Sequence, residues 1–597
     1  MKKALLLAKD FSQLGTCAMT LLDALEVLKG SNSSTARTQE TSLACGFTPL
    51  HLKTFLAAHL CLRFPGSRAE IRTCLYGDLA GNLERLQPSN DCAVCVVLEW
   101  TDLDPRLGLR SLGSWRSVDI PDIVGSARRQ SERIISIVKQ LAERVRIYLS
   151  TPTLPLPPIF HSRGVQAHRY ECELREIVAN VASRLSMDPK IRIVSAERLG
   201  ELSPPGQRFD PKAEISTGFP YTLEHASALA ESLAILILDA PPKKGLITDL
   251  DDTLWSGILG DVGVEGVEWD TSPNSHAHGL YQRFLASLAS AGVLLGVASK
   301  NELALVQQAL ARKDILLSKD MLFPLEINWG PKSRSVEQIL KKWNIAADDV
   351  VFVDDTAMEV AEVQSAFPQM ECLLFPKNDL SGVWELLRGL RDRFGKHSLT
   401  AEDDFRLLSI RTNAKCENFL HAGGAAAEHF LRDALPKVAF SFGPDPLDAR
   451  AFELLNKTNQ FNLNGRRLSE PQWRSFFQNS NAFLLTAKYG DRYGPLGKIA
   501  VIIGRTDITR LYINFWVMSC RAFSRRIEHQ CLKYLYEKTG ADEIIFEFES
   551  TPRNGPIQAF FEEFLGEAPR STFSLSKRMF YARMPALFHA VFEGLDV

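Results

Sequence analysis

The stretch KKGLITDLDDTLW, Lys243 to Trp255, decides how this chain reads. Its apolar run predicts a buried strand. The run ends in Asp249 and Asp251, spaced i and i+2, with Thr253 two positions further on. Doubly wound sheets place their ligand chemistry at the carboxyl ends of their strands. Two carboxylates there can hold Mg²⁺, a hard cation that takes oxygen ligands. One carboxylate can also attack a phosphoryl group while the other moves the proton. The plainer alternative is that such acids only face a loop or cap a helix.

Three further blocks follow in order. LLGVASKN (294–301) is a second apolar run, ending at Ser299. NWGPKSRSVEQIL (328–340) places Lys332 in a loop entering a helix, and VVFVDDTAMEV (350–360) is a third buried run, ending in Asp354 and Asp355. Acid pair, hydroxyl, lysine and second acid pair, each after a strand or before a helix, resemble the motif set of the haloacid dehalogenase (HAD) superfamily. Four blocks in sequence are hard to assign to loop polarity alone. The resemblance implies Asp249 as nucleophile and Asp251 as general acid and base. Thr253, Ser299 and Lys332 would bind the phosphoryl oxygens, and Asp249, Asp251, Asp354 and Asp355 would hold Mg²⁺. Phosphoryl transfer needs mainly positioning and charge neutralisation, which this inventory supplies.

The gaps between blocks are short: 299 − 249 = 50 and 354 − 332 = 22 positions. They leave room for a flap and a helix or two, so the core is expected to be uncapped. An open site suits a macromolecular or protein-bound substrate, or closure by another domain of the chain.

At 597 residues the chain is expected to form several domains, and its 45% hydrophobic and 23% charged content is that of globular protein. A formal charge of −2 gives no electrostatic case for nucleic acid or an anionic membrane as partner. No apolar run approaches the ~20 residues that span a bilayer. The opening MKKALLLAKD is too short in its apolar part for a signal peptide. Eleven cysteines lie scattered; Cys92 and Cys95 share a predicted strand, where i and i+3 point to opposite faces, so they read as buried structural thiols. A reducing, cytoplasmic setting is expected.

Residues 1–240 alternate helical and strand patterns, which predicts an α/β domain with a parallel sheet. CAVCVVLEW reads as a buried strand, and RRQSERIISIVKQLAERVRIYL as one long helix with a charged face. TDLDPRLGLR follows the strand, and its Asp102 and Asp104 read as a polar loop, with no lysine or second acid pair to accompany them. No G-D-S or G-x-S-x-G occurs, so no hydrolase nucleophile is evident there. The Pro-rich segments TPTLPLPPIF (151–160) and APPKKG (240–245) read as stiff connectors.

Residues 241–397 would be the HAD-like core, and residues 398–597 a third domain with a different rhythm. FLLTAKYGDRYGPLGKIAVIIGRTDITRLYINFWVM reads as three antiparallel strands. The helix RRIEHQCLKYLYEKTG, the strand EIIFEFES and the helix IQAFFEEFL follow. This order resembles the GNAT acyltransferase fold. Where that fold uses glycines to cradle CoA pyrophosphate, this chain has Ser524, Arg526 and Glu528, which puts ordinary acetyl-CoA binding in doubt.

DLDDTLWSGILG, ASKNE, NWGPKS, VFVDD, KTNQFNLNGRR, MSCRAFSRRIE and TPRNGP together are similar to the FkbH-like family, an uncapped HAD core fused to a GNAT-like domain. The resemblance implies transfer of a glyceryl unit from 1,3-bisphosphoglycerate to the pantetheine thiol of an acyl carrier protein, with dephosphorylation, in polyketide or nonribosomal-peptide biosynthesis. It implies an intermediate thioester on Cys520. The position suits a thiolate: a strand-to-helix junction with Arg521, Arg525 and Arg526 nearby lowers a thiol pKa. A buried cysteine closing a strand is the commoner fate of a free thiol. His529 is read as a surface or packing residue, Arg466 and Arg467 as either contacts to an acidic carrier helix or an ordinary exposed pair, Asn459, Gln460 and Asn462 as either pantetheine contacts or turn chemistry, and His276 and His278 as a solvated loop at a helix start. The rival readings are a Mg²⁺-dependent phosphatase whose last domain only docks a carrier, and a non-catalytic carrier-docking scaffold.

Overall fold

The computed structural model describes residues 19–31, 37–64, 66–88, 92–110, 115–238, 240–396, 406–408, 410–411, 428, 432–458, 460–492, 494–519, 522–523 and 525–594. The chain divides into two compact units, Met1–Pro241 and Pro242–Val597. The expected boundary between residues 397 and 398 lies outside the described residues. Among the described residues no helix is long and apolar enough to cross a membrane.

The first unit is built on five parallel strands: β1 (Arg37–Cys45), β2 (Ser67–Thr73), β3 (Ala93–Val97), β4 (Ile147–Ser150) and β5 (Ile191–Ile193). Their order is β2-β1-β3-β4-β5. Alternate residues of β3 feed two cores. Val94 and Val96 pack with the helices Ile120–Ala142 and Arg169–Leu185. Cys95 and Val97 pack with the helices Leu50–Arg63 and Leu223–Leu238. A sheet covered on both faces needs such continuous apolar strands. The long helix predicted through RRQSERIISIVKQLAERVRIYL stops at Ala142, where the Arg144 and Val145 N–H groups both bond the Leu141 carbonyl. Its last three residues pass into β4, because the run Ile147-Tyr148-Leu149 suits a fully buried strand between β3 and β5.

The second unit opens with another parallel sheet: β6 (Gly245–Thr248), β7 (Leu294–Ser299), β8 (Leu322–Ile327), β9 (Val350–Asp354) and β10 (Glu371–Leu374), in the order β10-β9-β6-β7-β8. β6 is central, flanked in register by β7 and β9. Trp343, at the end of the helix Lys332–Trp343, packs against β6 and β7. It fits because β6 and β7 carry Gly245 and Gly296 beneath it; a Cβ would meet its ring at 2.5 Å and 2.9 Å. Its indole N–H donates to the Phe323 carbonyl at 2.7 Å.

His276 and His278 are not on a solvated loop. Ser272 and Ser275 form a capping box around Pro273, so the helix Pro273–Ser290 starts before both histidines. His278 is buried, and its Nδ1 lies 2.9 Å from the Thr253 carbonyl.

The C-terminal part of this unit is an eight-stranded, mostly antiparallel sheet. Its strands are β11 (Lys437–Gly443), β12 (Phe461–Asn462), β13 (Ala482–Asp491), β14 (Gly494–Thr506), β15 (Arg510–Met518), β16 (Glu543–Phe546), β17 (Phe573–Ser576) and β18 (Ala590–Glu593). The three antiparallel strands expected between residues 482 and 518 are β13, β14 and β15. β15 and β16 run parallel, joined through the helix Ile527–Thr539. The molecule is thus a mixed α/β protein: two Rossmann-like parallel sheets followed by a C-terminal sheet domain.

Candidate active site

The ends of β6, β7 and β9 lie side by side, so their sequence-adjacent polar residues converge. Asp249 follows β6, Ser299 closes β7 and Asp354 closes β9. Asp249 is 7% exposed, and its N–H donates to the Val353 carbonyl at 3.0 Å. Lys332, the first residue of its helix, is buried and pointed at the acids. Its Nζ lies 2.8 Å from Asp249 Oδ1, 2.6 Å from Asp354 Oδ2 and 2.8 Å from Glu359 Oε2. Lys300 adds a second contact to Glu359 at 2.7 Å.

Burial drives the Asp249 carboxyl above the ordinary carboxylate range, against the pull of Lys332. Burial, then repulsion from Asp249, pushes Asp354 up to about 7. Burial works the same way on Glu359, but Lys300 and Lys332 hold it below its usual value. Burial opposes the Lys332 charge, yet Asp249 and Asp354 hold its ammonium above the usual lysine range.

Asp251 points into its own loop. It accepts from the Trp255 indole at 2.9 Å, the Leu259 N–H at 3.2 Å and the Asn301 amide at 2.9 Å. Burial raises its pKa, and these donors only partly offset that. The Asn301 amide also reaches Ser299 Oγ at 3.4 Å, linking the loop after β7 to the loop after β6. Asp252, between the acids and Thr253, sits at φ +50°, and this left-handed turn folds the loop back. Thr253 is fully buried, and its hydroxyl has no hydrogen-bond partner among the described residues.

Asp355 faces away from this centre. Lys377 Nζ lies 2.8 Å from Asp355 Oδ2 and 2.9 Å from Asp252 Oδ2. Of the four carboxylates expected to hold a metal, Asp249 and Asp354 come together, and the third group beside them is Glu359. Ligand oxygens of these three lie within 4.8 Å of one another. Asp249, Asp354 and Glu359 face two lysines, Lys332 and Lys300, in a largely buried pocket. An all-oxygen donor set of three carboxylates fits a hard divalent cation.

Sequence reasoning passed over Glu359, Lys300, Asn301 and Lys377. Glu359 carried a readable signal: it stands five positions after Asp354, one turn into the helix Ala357–Ala366. Lys377 carried none, because it comes from the loop after β10.

Cys520, like Arg521, Ser524 and Asn459, lies outside the described residues. Near that junction, Arg525 is buried, 3.5 Å from Asp491 and stacked over Tyr489. Arg526 takes a left-handed φ of +58° just before its helix. Asn462 spends its side chain on a turn: Oδ1 accepts from the Asn464 and Gly465 N–H groups, and Nδ2 donates to the Thr458 carbonyl. His529 is buried against Phe560 and Phe564, with Glu528 and Glu563 each at 3.4 Å.

No protein-family model matches the chain, and no curated protein does. Among solved structures, it is similar to the N-terminal part of BF1531 from Bacteroides fragilis, which contains a phosphatase domain and was crystallised with Mg. That likeness has a TM-score of 0.50 at 18% identity and covers 63% of this chain and 99% of the other. A second, salicylyl-acyltransferase SsfX3 from a tetracycline biosynthetic pathway, reaches a TM-score of 0.21 at 14% identity, covering 35% of this chain and 56% of that one. A likeness that small carries no argument; the first shows that this chain shares its fold with the phosphatase-containing protein.

Proposed function

We propose that this protein is a bifunctional glyceryltransferase/phosphatase. Its parallel-sheet site would hydrolyse a phosphomonoester through a phospho-aspartate at Asp249. The observation that carries the hydrolytic half is the convergence of Asp249, Lys332, Asp354 and Glu359 at the ends of β6 and β9, with Asp251 one loop away. An Asp249 oxygen attacks phosphorus, and the bond from phosphorus to the ester oxygen breaks. Asp251 gives its proton to the departing alkoxide; its raised pKa suits a carboxyl that must arrive protonated. Water then attacks the aspartyl phosphate while Asp251 takes its proton, and inorganic phosphate leaves. Lys332 and Ser299 neutralise and orient the phosphoryl oxygens, and the buried Thr253 hydroxyl lies in the same loop. Asp249, Asp354 and Glu359 would hold Mg²⁺, which supplies further neutralisation of the phosphoryl charge when bound.

The acyl half rests on the resemblance of KTNQFNLNGRR, MSCRAFSRRIE and TPRNGP to FkbH-like proteins. There Cys520 displaces phosphate from the acyl phosphate of 1,3-bisphosphoglycerate, forming a thioester. The carrier's pantetheine thiol then takes the glyceryl group and frees the cysteine. The remaining phosphomonoester is the substrate of the Asp249 site.

The test is intact mass of enzyme and carrier after incubation with Mg²⁺, 1,3-bisphosphoglycerate and a pantetheinylated carrier protein. A glyceryl adduct on the carrier, lost in Cys520→Ala, supports the reading. A phosphoglyceryl adduct that persists in Asp249→Asn would assign the phosphatase step. A bare carrier with phosphate release reduces the protein to a phosphatase, and a bare carrier without it refutes the substrate.

A further inference from the structure

A cavity of about 450 Å³ opens in the first unit, independent of the site above. It lies where β1 and β3 end: Gly46 and Phe47 follow β1, and Glu99 to Asp102 follow β3. With strands ordered β2-β1-β3-β4-β5, β1 and β3 are neighbours whose connections leave in opposite directions. Open parallel sheets bind ligands in the crevice at this switch point. The volume falls within the roughly 300–1,000 Å³ of small-molecule sites.

The walls are apolar and aromatic, and the base is acidic. Phe47, Tyr76, Trp100 and Leu156 form walls, while Glu99 and Asp102 line the floor. Glu99 is held firmly: it accepts from Thr153 Oγ1 at 2.6 Å, Tyr221 OH at 2.7 Å and the Thr153 and Leu154 N–H groups. Behind it, His225 fixes Thr153 and Ser203, each at 2.9 Å. Among the described residues Asp102 takes one bond, from the Glu99 N–H to Oδ2 at 2.8 Å. Its Oδ1 sits against Gly46, where a Cβ would come within 1.8 Å. Only glycine at 46 admits that carboxyl.

Among the described residues no ion pair reaches Asp102 or Glu99. The nearest wall cation, Arg110, donates to the Glu214 and Ile215 carbonyls and covers the Tyr76 ring at 5.4 Å. Burial, with Glu99 adding repulsion, pushes Asp102 up to about 8. A carboxyl without a counter-charge, framed by aromatic faces, is complementary to an organic ammonium.

We propose that this cavity binds a small apolar molecule carrying one protonated amine, its ammonium against the Asp102 carboxylate and its apolar body between Phe47, Tyr76, Trp100 and Leu156. The test is titration calorimetry of the full chain with phenethylamine, phenethyl alcohol and phenylacetate. Phenethylamine is expected to bind at least about tenfold more tightly than the alcohol, as a charge-assisted bond predicts, and phenylacetate not at all. Asp102→Asn should reduce the amine to the alcohol's affinity. Leu156→Trp, which fills the cavity from a half-buried wall position, should abolish binding while leaving the circular dichroism unchanged. Equal binding of amine and alcohol, preference for the acid, or absence of amine binding overturns the proposal, and so does amine binding that survives Leu156→Trp.

Discussion

Replacing Lys332 by methionine removes the ammonium that touches Asp249, Asp354 and Glu359 together. Glu359 keeps Lys300, so the burden falls on Asp249 and Asp354, which are 7% and 0% exposed. Removing one partner from a buried charge pair costs about 3–5 kcal/mol, and two stranded carboxylates place this site at the upper end. The loss depends on pH in a definite direction. In the native protein, Asp354 binds its proton more tightly folded than unfolded; its contribution is present below the ordinary carboxylate value and fades as pH rises through about 7. Without Lys332 both acids hold protons more tightly still, so acid relieves the variant and alkali penalises it. Hydrogen exchange of the amides in β6, β7 and β9 reads the local opening free energy in the full chain. The variant should lose protection by several kcal/mol at about pH 8.5 and by far less at about pH 5.5. Equal loss at both pH values, or a loss under about 1 kcal/mol at the higher one, would refute the claim that Lys332 holds these carboxylates together.

Asp251→Asn keeps an acceptor for the Trp255 indole but has no proton to exchange, so phosphate release should slow by ~10²–10⁴ with the melting temperature unchanged; unaltered turnover would remove Asp251 from the chemistry. Gly296→Ala puts a methyl 2.9 Å from Trp343 and 3.1 Å from Ile339. It should lower the stability of the second unit by about 1–3 kcal/mol in urea titration, and an unshifted midpoint would mean that Trp343 has room to move. His59 and His225, both buried, are held neutral mainly by burial, each pushed down to about 3. Stability from a depressed histidine is present above its ordinary value near 6.5 and lost as pH falls toward 3, by up to about 5 kcal/mol for each group. Acid unfolding of the first unit should therefore begin below about pH 6.5, and His225→Gln should flatten the slope; an unchanged slope would count against the assignment.

The ends of β6, β7 and β9 were legible because parallel strands buried on both faces read as unbroken apolar runs. The first carboxylate or hydroxyl after each run then marks the sheet's active edge. What lay on helices and distant loops was not. Glu359 reaches the centre only because its helix starts at Ala357, and Lys377 meets Asp252 and Asp355, beside the centre, only because the loop after β10 returns next to β9. The helix reading across Arg144 to Leu149 failed because pairing with β3 and β5 overrode the charged helical face before it. Asp102 read as loop polarity, since its neighbours Gly46 and Leu156 come from strand ends far away in sequence.

Lys377 touches none of the acids that face Lys332, yet it ties the turn after β6 to the turn after β9 through Asp252 and Asp355. Its charge is held above the usual lysine range by those two partners, so the tie persists across the physiological pH range. The two carboxylate-bearing turns are therefore fastened to each other by a residue from a third loop, outside the cluster around Lys332.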